Sequence, residues 1–205
     1  MIFMFPIITA ISEIVSTAAA LLPKIIEVVG KNILEFAQIL SGIMKGLGLI
    51  KPDEEVTDLG DKALQAADDG ITPEKYDTYE EYLKAIEDFD LDPEKSKDID
   101  DGKKLEKGVE VITATLVERY GEVMGDFLLL IGKNQPYFLE RMPLITTVVR
   151  DSLANFGDIV RYIQGTETDT KKSNDTLRVL YDVEKRVNPE ATIDDLMNNI
   201  EKLKD

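Results

Sequence analysis

Asp88, Asp90 and Asp92 form the one string in this chain with the spacing of a metal loop. A calcium loop sets acidic residues at alternate positions so that their oxygens converge on one cation. It then needs Gly at its sixth position for a sharp turn and a bidentate Glu at its twelfth. Pro93 and Ile99 stand at those two positions here. Asp98, Asp100 and Asp101 can add oxygens only through another loop geometry. The stretch 88–101 is therefore expected to be a solvated, mobile acidic loop without a tight metal site, and no metal ligand is assigned.

Other chemistry is restricted by composition. Histidine, cysteine and tryptophan are absent, which removes Ser-His-Asp and Cys-His pairs, thiolate or imidazole zinc sites, and disulfides. Forty carboxylates make an acid–base pair arithmetically easy. Glycoside hydrolysis, however, needs two of them at a set spacing across a sugar site, and no pair stands out. Neither GxGxxG nor GxxxxGK[ST] occurs, so the usual phosphate cradles are missing. No catalytic residue and no cofactor are assigned, and the chain is expected not to be an enzyme.

Net charge is −16, which argues against a nucleic-acid partner and against electrostatic docking on an anionic membrane, since both need clustered Lys and Arg. The charge is segregated. Residues 1–50 hold three Lys and three acids, residues 51–110 nine Lys and twenty-one acids, and residues 111–205 twelve basic and sixteen acidic residues. The basic residues between 171 and 186 alternate with acids and read as a solvated mixed face. The start, MIFMFPIITAISEIV, has no basic n-region and carries Glu13 in its apolar stretch, so a cytoplasmic or particle-associated location is expected. The sequon at Asn174 is read as a coincidence in a polar loop.

These residues are positioned by helices. Apolar positions recur at three- and four-residue steps through most of the chain, predicting an all-α fold. Helices are expected near 7–22, 24–47, 54–69, 78–89, 103–120, 123–132, 136–150, 157–164, 175–187 and 193–204. Pro23 predicts a kink or break at Leu22, and Thr192 with Asp195 predicts a near capping box. The β-branched run Ile145–Val149 is the one place where a strand competes. The core is expected to draw on Leu83, Ile86, Phe89, Leu105, Val109, Ile112, Leu116, Phe127, Leu130, Leu177, Leu180, Leu196 and Ile200.

The first fifty residues set the functional expectation. Ile25, Val29, Ile33, Phe36, Leu40, Ile43 and Leu47 make one stripe, Val28, Leu34 and Ile39 widen it, and Gly42 and Gly46 have the GxxxG spacing that lets helices approach closely. So wide an apolar arc exceeds what one neighbouring helix covers. The chain is therefore expected to divide into an apolar helical arm or hairpin, 1–50, and an irregular acidic helical domain, 51–205. The nine residues Ile25, Val29, Ile33, Phe36, Leu40, Ile43, Leu47, Gly42 and Gly46 are the expected association surface, for a homo-oligomer or a protein partner, with membrane contact as a further possibility. The leading expectation is a non-enzymatic assembly protein of the build found in phage or phage-tail-like particles. One alternative is a membrane-active, pore-forming or holin-like protein inserting the hairpin. The other is an acidic inhibitor or decoy that binds a basic protein surface.

Overall fold

A computed structural model describes residues 11–151 and 155–204. The described residues form eleven α-helices and no strand: α1 Ile11–Val29, α2 Ile33–Gly46, α3 Val56–Asp68, α4 Tyr79–Glu87, α5 Pro93–Asp98, α6 Asp101–Tyr120, α7 Val123–Lys133, α8 Gln135–Asp151, α9 Phe156–Ile163, α10 Thr170–Val187 and α11 Ile193–Glu201. The all-α expectation holds, and Ile145–Val149 lies within α8.

Side-chain caps fix where several helices start. Thr78 accepts from the Glu81 N–H at α4, Asp100 from the Lys103 N–H at α6, and Asp169 from the Lys171 N–H at α10. Such a cap satisfies an N–H that has no partner within the helix. Asn155 with Asp158 and Thr192 with Asp195 are complete capping boxes at α9 and α11.

Two boundaries differ from expectation. Helix α1 runs through Pro23 and stops at Gly30 instead, where φ is +57°, a left-handed conformation open to glycine. Pro23 is tolerated because it and Ala19, whose carbonyl loses its partner, are both exposed. Pro143 inside α8 repeats the arrangement, with Leu139 exposed. Residues 170–174 of the expected polar loop are instead the start of α10, with Asn174 on the helix and the Thr176 side chain fully buried. The start of the expected helix 7–22 lies outside the described residues.

The chain forms two compact units, Met1–Pro23 with Thr57–Gly121 and Lys24–Val56 with Glu122–Asp205. The chain passes from one unit to the other at 23/24, 56/57 and 121/122, and α2, which packs on α8, groups with the C-terminal helices.

In the first unit the core holds Leu59, Ala63, Tyr79, Tyr82, Leu83, Ile86, Leu105, Val109, Ile112 and Leu116. Helix α4 packs on α6, and the rings of Tyr79 and Tyr82 meet edge to face at 5.2 Å. The Glu118 carboxylate on α6 accepts from the backbone N–H groups of Tyr79 at 2.7 Å and Glu80 at 3.0 Å. A carboxylate at that end of α4 also complements its helix dipole.

Helices α3 and α6 touch backbone to backbone: a Cβ built on Gly60 would lie 1.8 Å from the Lys104 carbonyl oxygen and 2.6 Å from the Gly108 nitrogen.

In the second unit α7 packs on α9, and α10 packs on α8, α9 and α11. Phe127 lies between Phe138, 5.8 Å away, and Phe156, 4.8 Å away. Of the thirteen residues expected in the core, Phe89, Leu130 and Leu177 are half-buried and the other ten are buried.

Gly60→Ala is expected to destabilise the protein by at least about 2 kcal/mol in urea unfolding, because backbone atoms cannot move aside as a flexible side chain can. A variant as stable as the parent would refute the close approach of α3 and α6.

Candidate functional site

The nine expected association residues are mostly interior. Ile25, Phe36, Leu40 and Ile43 are fully buried and Val29 is 4% exposed, while Ile33, Leu47, Gly42 and Gly46 are half-buried. The stripe is covered within the chain. The exposed large apolar side chains among the described residues are Leu34, Leu139 and Ile193.

The expectation of a homo-oligomer or partner contact through residues 1–50 is therefore corrected: apart from exposed Leu34, the described stripe that motivated it is packed within the chain. The expected membrane contact is corrected too. No helix of the described residues is long and apolar enough to cross a membrane, and the polar residues of α1 and α2 interrupt each apolar run. The two glycines differ in use. A Cβ on Gly46 would lie 2.9 Å from the Thr146 methyl group of α8, whereas a Cβ on Gly42 meets nothing within 4 Å. One glycine thus serves an internal helix contact, and the other leaves open space.

The acidic string resolves into helix caps and a clasp. Asp92 caps α5, accepting from the Glu94 N–H at 2.9 Å, and Asp100 caps α6. No group of three or more acidic residues among those described is arranged to hold a metal ion. The stretch holds a short helix and is anchored: the Gln65 side chain accepts from the Asp92 N–H at 3.0 Å and donates to the Asp92 carbonyl at 3.3 Å.

Next to it, buried Asp61 accepts from Gln65 at 2.8 Å, from the Ser96 hydroxyl, and from Lys104 at 3.1 Å. Burial alone pushes the Asp61 carboxyl up, but these hydrogen bonds and the Lys104 charge more than offset it and hold the group below its usual range.

A second buried cluster lies in the other unit. Glu184 on α10, fully buried, takes a two-pronged bond from Arg141 on α8, with Nη2 at 3.2 Å, and a bond from Asn199 on α11 at 3.1 Å. The Arg141 guanidinium lies 4.3 Å from the centre of the Tyr137 ring. Burial again opposes the charged carboxylate, and again Arg141 and Asn199 win, leaving Glu184 below its usual range. Both clusters join helices, and neither leaves an acid or base free to act on a substrate.

What remains available is the exposed acid of the first unit. Residues 57–121 hold nineteen acids and nine bases. Asp61 and Glu118 face inward, and Asp92 and Asp100 cap helices. Asp58, Asp68, Asp90, Asp98 and Glu106 are exposed and make no ion pair with a described residue. These exposed acids of the first unit are the candidate site.

Gln65, Asp61, Glu118 and Arg141 were not singled out from the sequence, and Glu184, expected on a solvated mixed-charge face, is fully buried. A faint signal existed for one pair: Glu184 continues the buried stripe Thr176, Leu180 of α10, and a charge on an apolar stripe calls for a buried partner.

No protein-family model matches this sequence, and no curated protein or solved structure matches it.

Replacing Gly42 by Ala should raise stability by up to about 1 kcal/mol, since it removes a helix-interior glycine in open space. Gly46→Ala should lower it, since Thr146 must yield. Equal effects in thermal melts would contradict the assigned packing. Arg141→Ala, which leaves Glu184 buried and unpaired, should cost about 3–5 kcal/mol in urea unfolding.

The two depressed carboxyls also set an acid dependence. Their folded values lie below the unfolded ones, so their contribution is fully present above the unfolded values, near 3.8 for Asp and 4.5 for Glu. It is lost as pH falls through the folded values. Melts from pH 7 to pH 2 should decline in that window, and Asp61→Asn should flatten part of the decline. An unchanged slope in that variant would remove Asp61 from the account.

Proposed function

We propose that this chain is a non-enzymatic interaction protein that presents the acidic face of residues 57–121 to a basic surface of a protein partner. The reading rests on one observation: the inward carboxylates of that unit are used in caps and clasps, while Asp58, Asp68, Asp90, Asp98 and Glu106 stay exposed without a basic partner among the described residues. Unneutralised charge of one sign on a rigid helical support steers and orients a partner of the opposite sign. It also favours a protein partner over nucleic acid, whose phosphates carry the same charge.

A non-enzymatic role is supported by Asp61 and Glu184, whose hydrogen bonds go to helix packing. The assembly reading keeps its sense in this form, with the contact moved from residues 1–50 to the acidic unit. An inhibitor or decoy acting on a basic surface is the same physical event with a different consequence for the partner.

The test is an amide chemical-shift titration of the full chain with a lysine-rich peptide and with lysozyme as basic probes, at about 0.15 M salt, where exposed charges more than about 8 Å apart are largely screened. Shifts should concentrate in residues 57–121, and D58N/D68N/D90N/D98N/E106Q should abolish them while leaving the melt cooperative. Shifts spread evenly over acids of both units, or unaffected by that variant, would sink the reading.

A further inference from the structure

A cavity of about 520 Å³ opens in the second unit, lined by Asp126, Leu129, Leu130, Lys133 and Asn134 of α7 and its end, Ile163 and Gln164 at the end of α9, and Leu203 and Lys204 after α11. Its volume falls in the range of small-molecule sites, and four apolar side chains share the lining with five polar or charged ones. Leu129, Leu130, Ile163 and Leu203 form the wall, with Ile163 and Leu203 buried and the other two half-buried.

The polar groups are not evenly spread. Asp126 and Lys133 lie seven residues apart on α7, about 10 Å along the helix axis, with the two leucines between them. Asn134 adjoins the Lys133 end. Lys204 is held in place: its ammonium lies 2.9 Å from the Glu201 carboxylate and 4.3 Å from the centre of the Tyr162 ring. Lys133 makes no ion pair with a described residue.

Three helix C-termini meet at this cavity, and their carbonyl dipoles would favour a cation. Carbonyls near those ends are occupied, however: the Asn134 N–H and side chain take those of Leu130 and Ile131, the Gln164 N–H takes Val160, and the Lys204 N–H takes Glu201. Among the described residues Lys133 is then the unpaired cation on the lining, and Lys204 shares its charge with Glu201.

We propose that this cavity binds a small amphipathic carboxylate. Its anionic head lies against Lys133, Asn134 and Lys204, and its hydrocarbon tail covers Leu129 and Leu130. The assignment is independent of the acidic face, which lies in the other unit. It also gives Asp126 a stated effect: a carboxylate at the tail end repels the ligand's head and keeps it at the lysine end.

The test titrates the full chain with carboxyl-labelled octanoate, followed by carbon NMR and calorimetry, beside octanol and octyltrimethylammonium as head-group controls. Octanoate should saturate a single site with Kd below about 1 mM, and each control should bind at least about tenfold more weakly. Lys133→Glu, at an exposed position, should weaken octanoate by at least about tenfold with the melt unchanged, and Asp126→Asn should bind it equally or more tightly. Comparable binding of either control, indifference to Lys133→Glu, weaker binding by Asp126→Asn, or no saturable octanoate signal would each overturn the proposal.

Discussion

Phe36, Ala37, Ile39, Leu40, Ile43 and Met44 are all buried on α2, and at 100° per residue they span an arc of roughly 160°. Such an arc cannot rest in water. Each fully buried Leu or Ile is worth roughly 1.5–3 kcal/mol, so the surrounding helices must enclose α2. Its pairing with α8 then places Arg141 and Thr146 in the interior, and Arg141 in turn requires Glu184 on α10. Helix α11 enters the same arrangement through Asn199. The polar cluster is thus a consequence of enclosing a helix too apolar for the surface.

The first unit is organised differently. Its helices are more charged, and they are located by polar contacts at their ends. Glu118 reaches the start of α4, and Lys104 and Ser96 meet at Asp61. Gly60 lets α3 approach α6 closely enough for Asp61 and Lys104 to touch. A glycine that costs about 1 kcal/mol of helix propensity is offset by the backbone contact it permits. Acidic residues, far from being surplus here, are the joints of the unit.

Helix periodicity was readable because it is a local property. Ten expected core residues are buried, and the Thr192 capping box forms where its spacing placed it. Pro23 misled because a proline's effect depends on whether the carbonyl it strands can reach water, and exposure is a tertiary fact. The width of the α2 stripe was legible, but its meaning was not: the number of helices that would surround it is set by chain topology. The stretch 88–101, expected as a mobile acidic loop, holds a short helix for a similar reason, since Asp92 and Asp100 cap helix N-termini and nothing local in the run of acids marks that use. The pairing of Arg141 with Glu184, separated by forty-three residues, has no local trace beyond a charge on an apolar stripe. The cavity, built from three helix ends, has none at all.

The Gln65 clasp carries a consequence for how this chain can drift in sequence. Gln65 reads only the main chain of Asp92, donating to its carbonyl and accepting from its N–H as a neighbouring strand would. The side chain at position 92 is therefore free to vary among residues that cap a helix, with Asn, Ser or Thr serving as well as Asp. Position 65 has no such latitude. Glutamate keeps the shape but loses the donor, and it would set a second carboxylate beside Asp61. Homologous sequences, as they diverge, should hold the neutral amide fixed while the acidic residue it grips is exchanged, the reverse of what the conspicuous run of aspartates suggests.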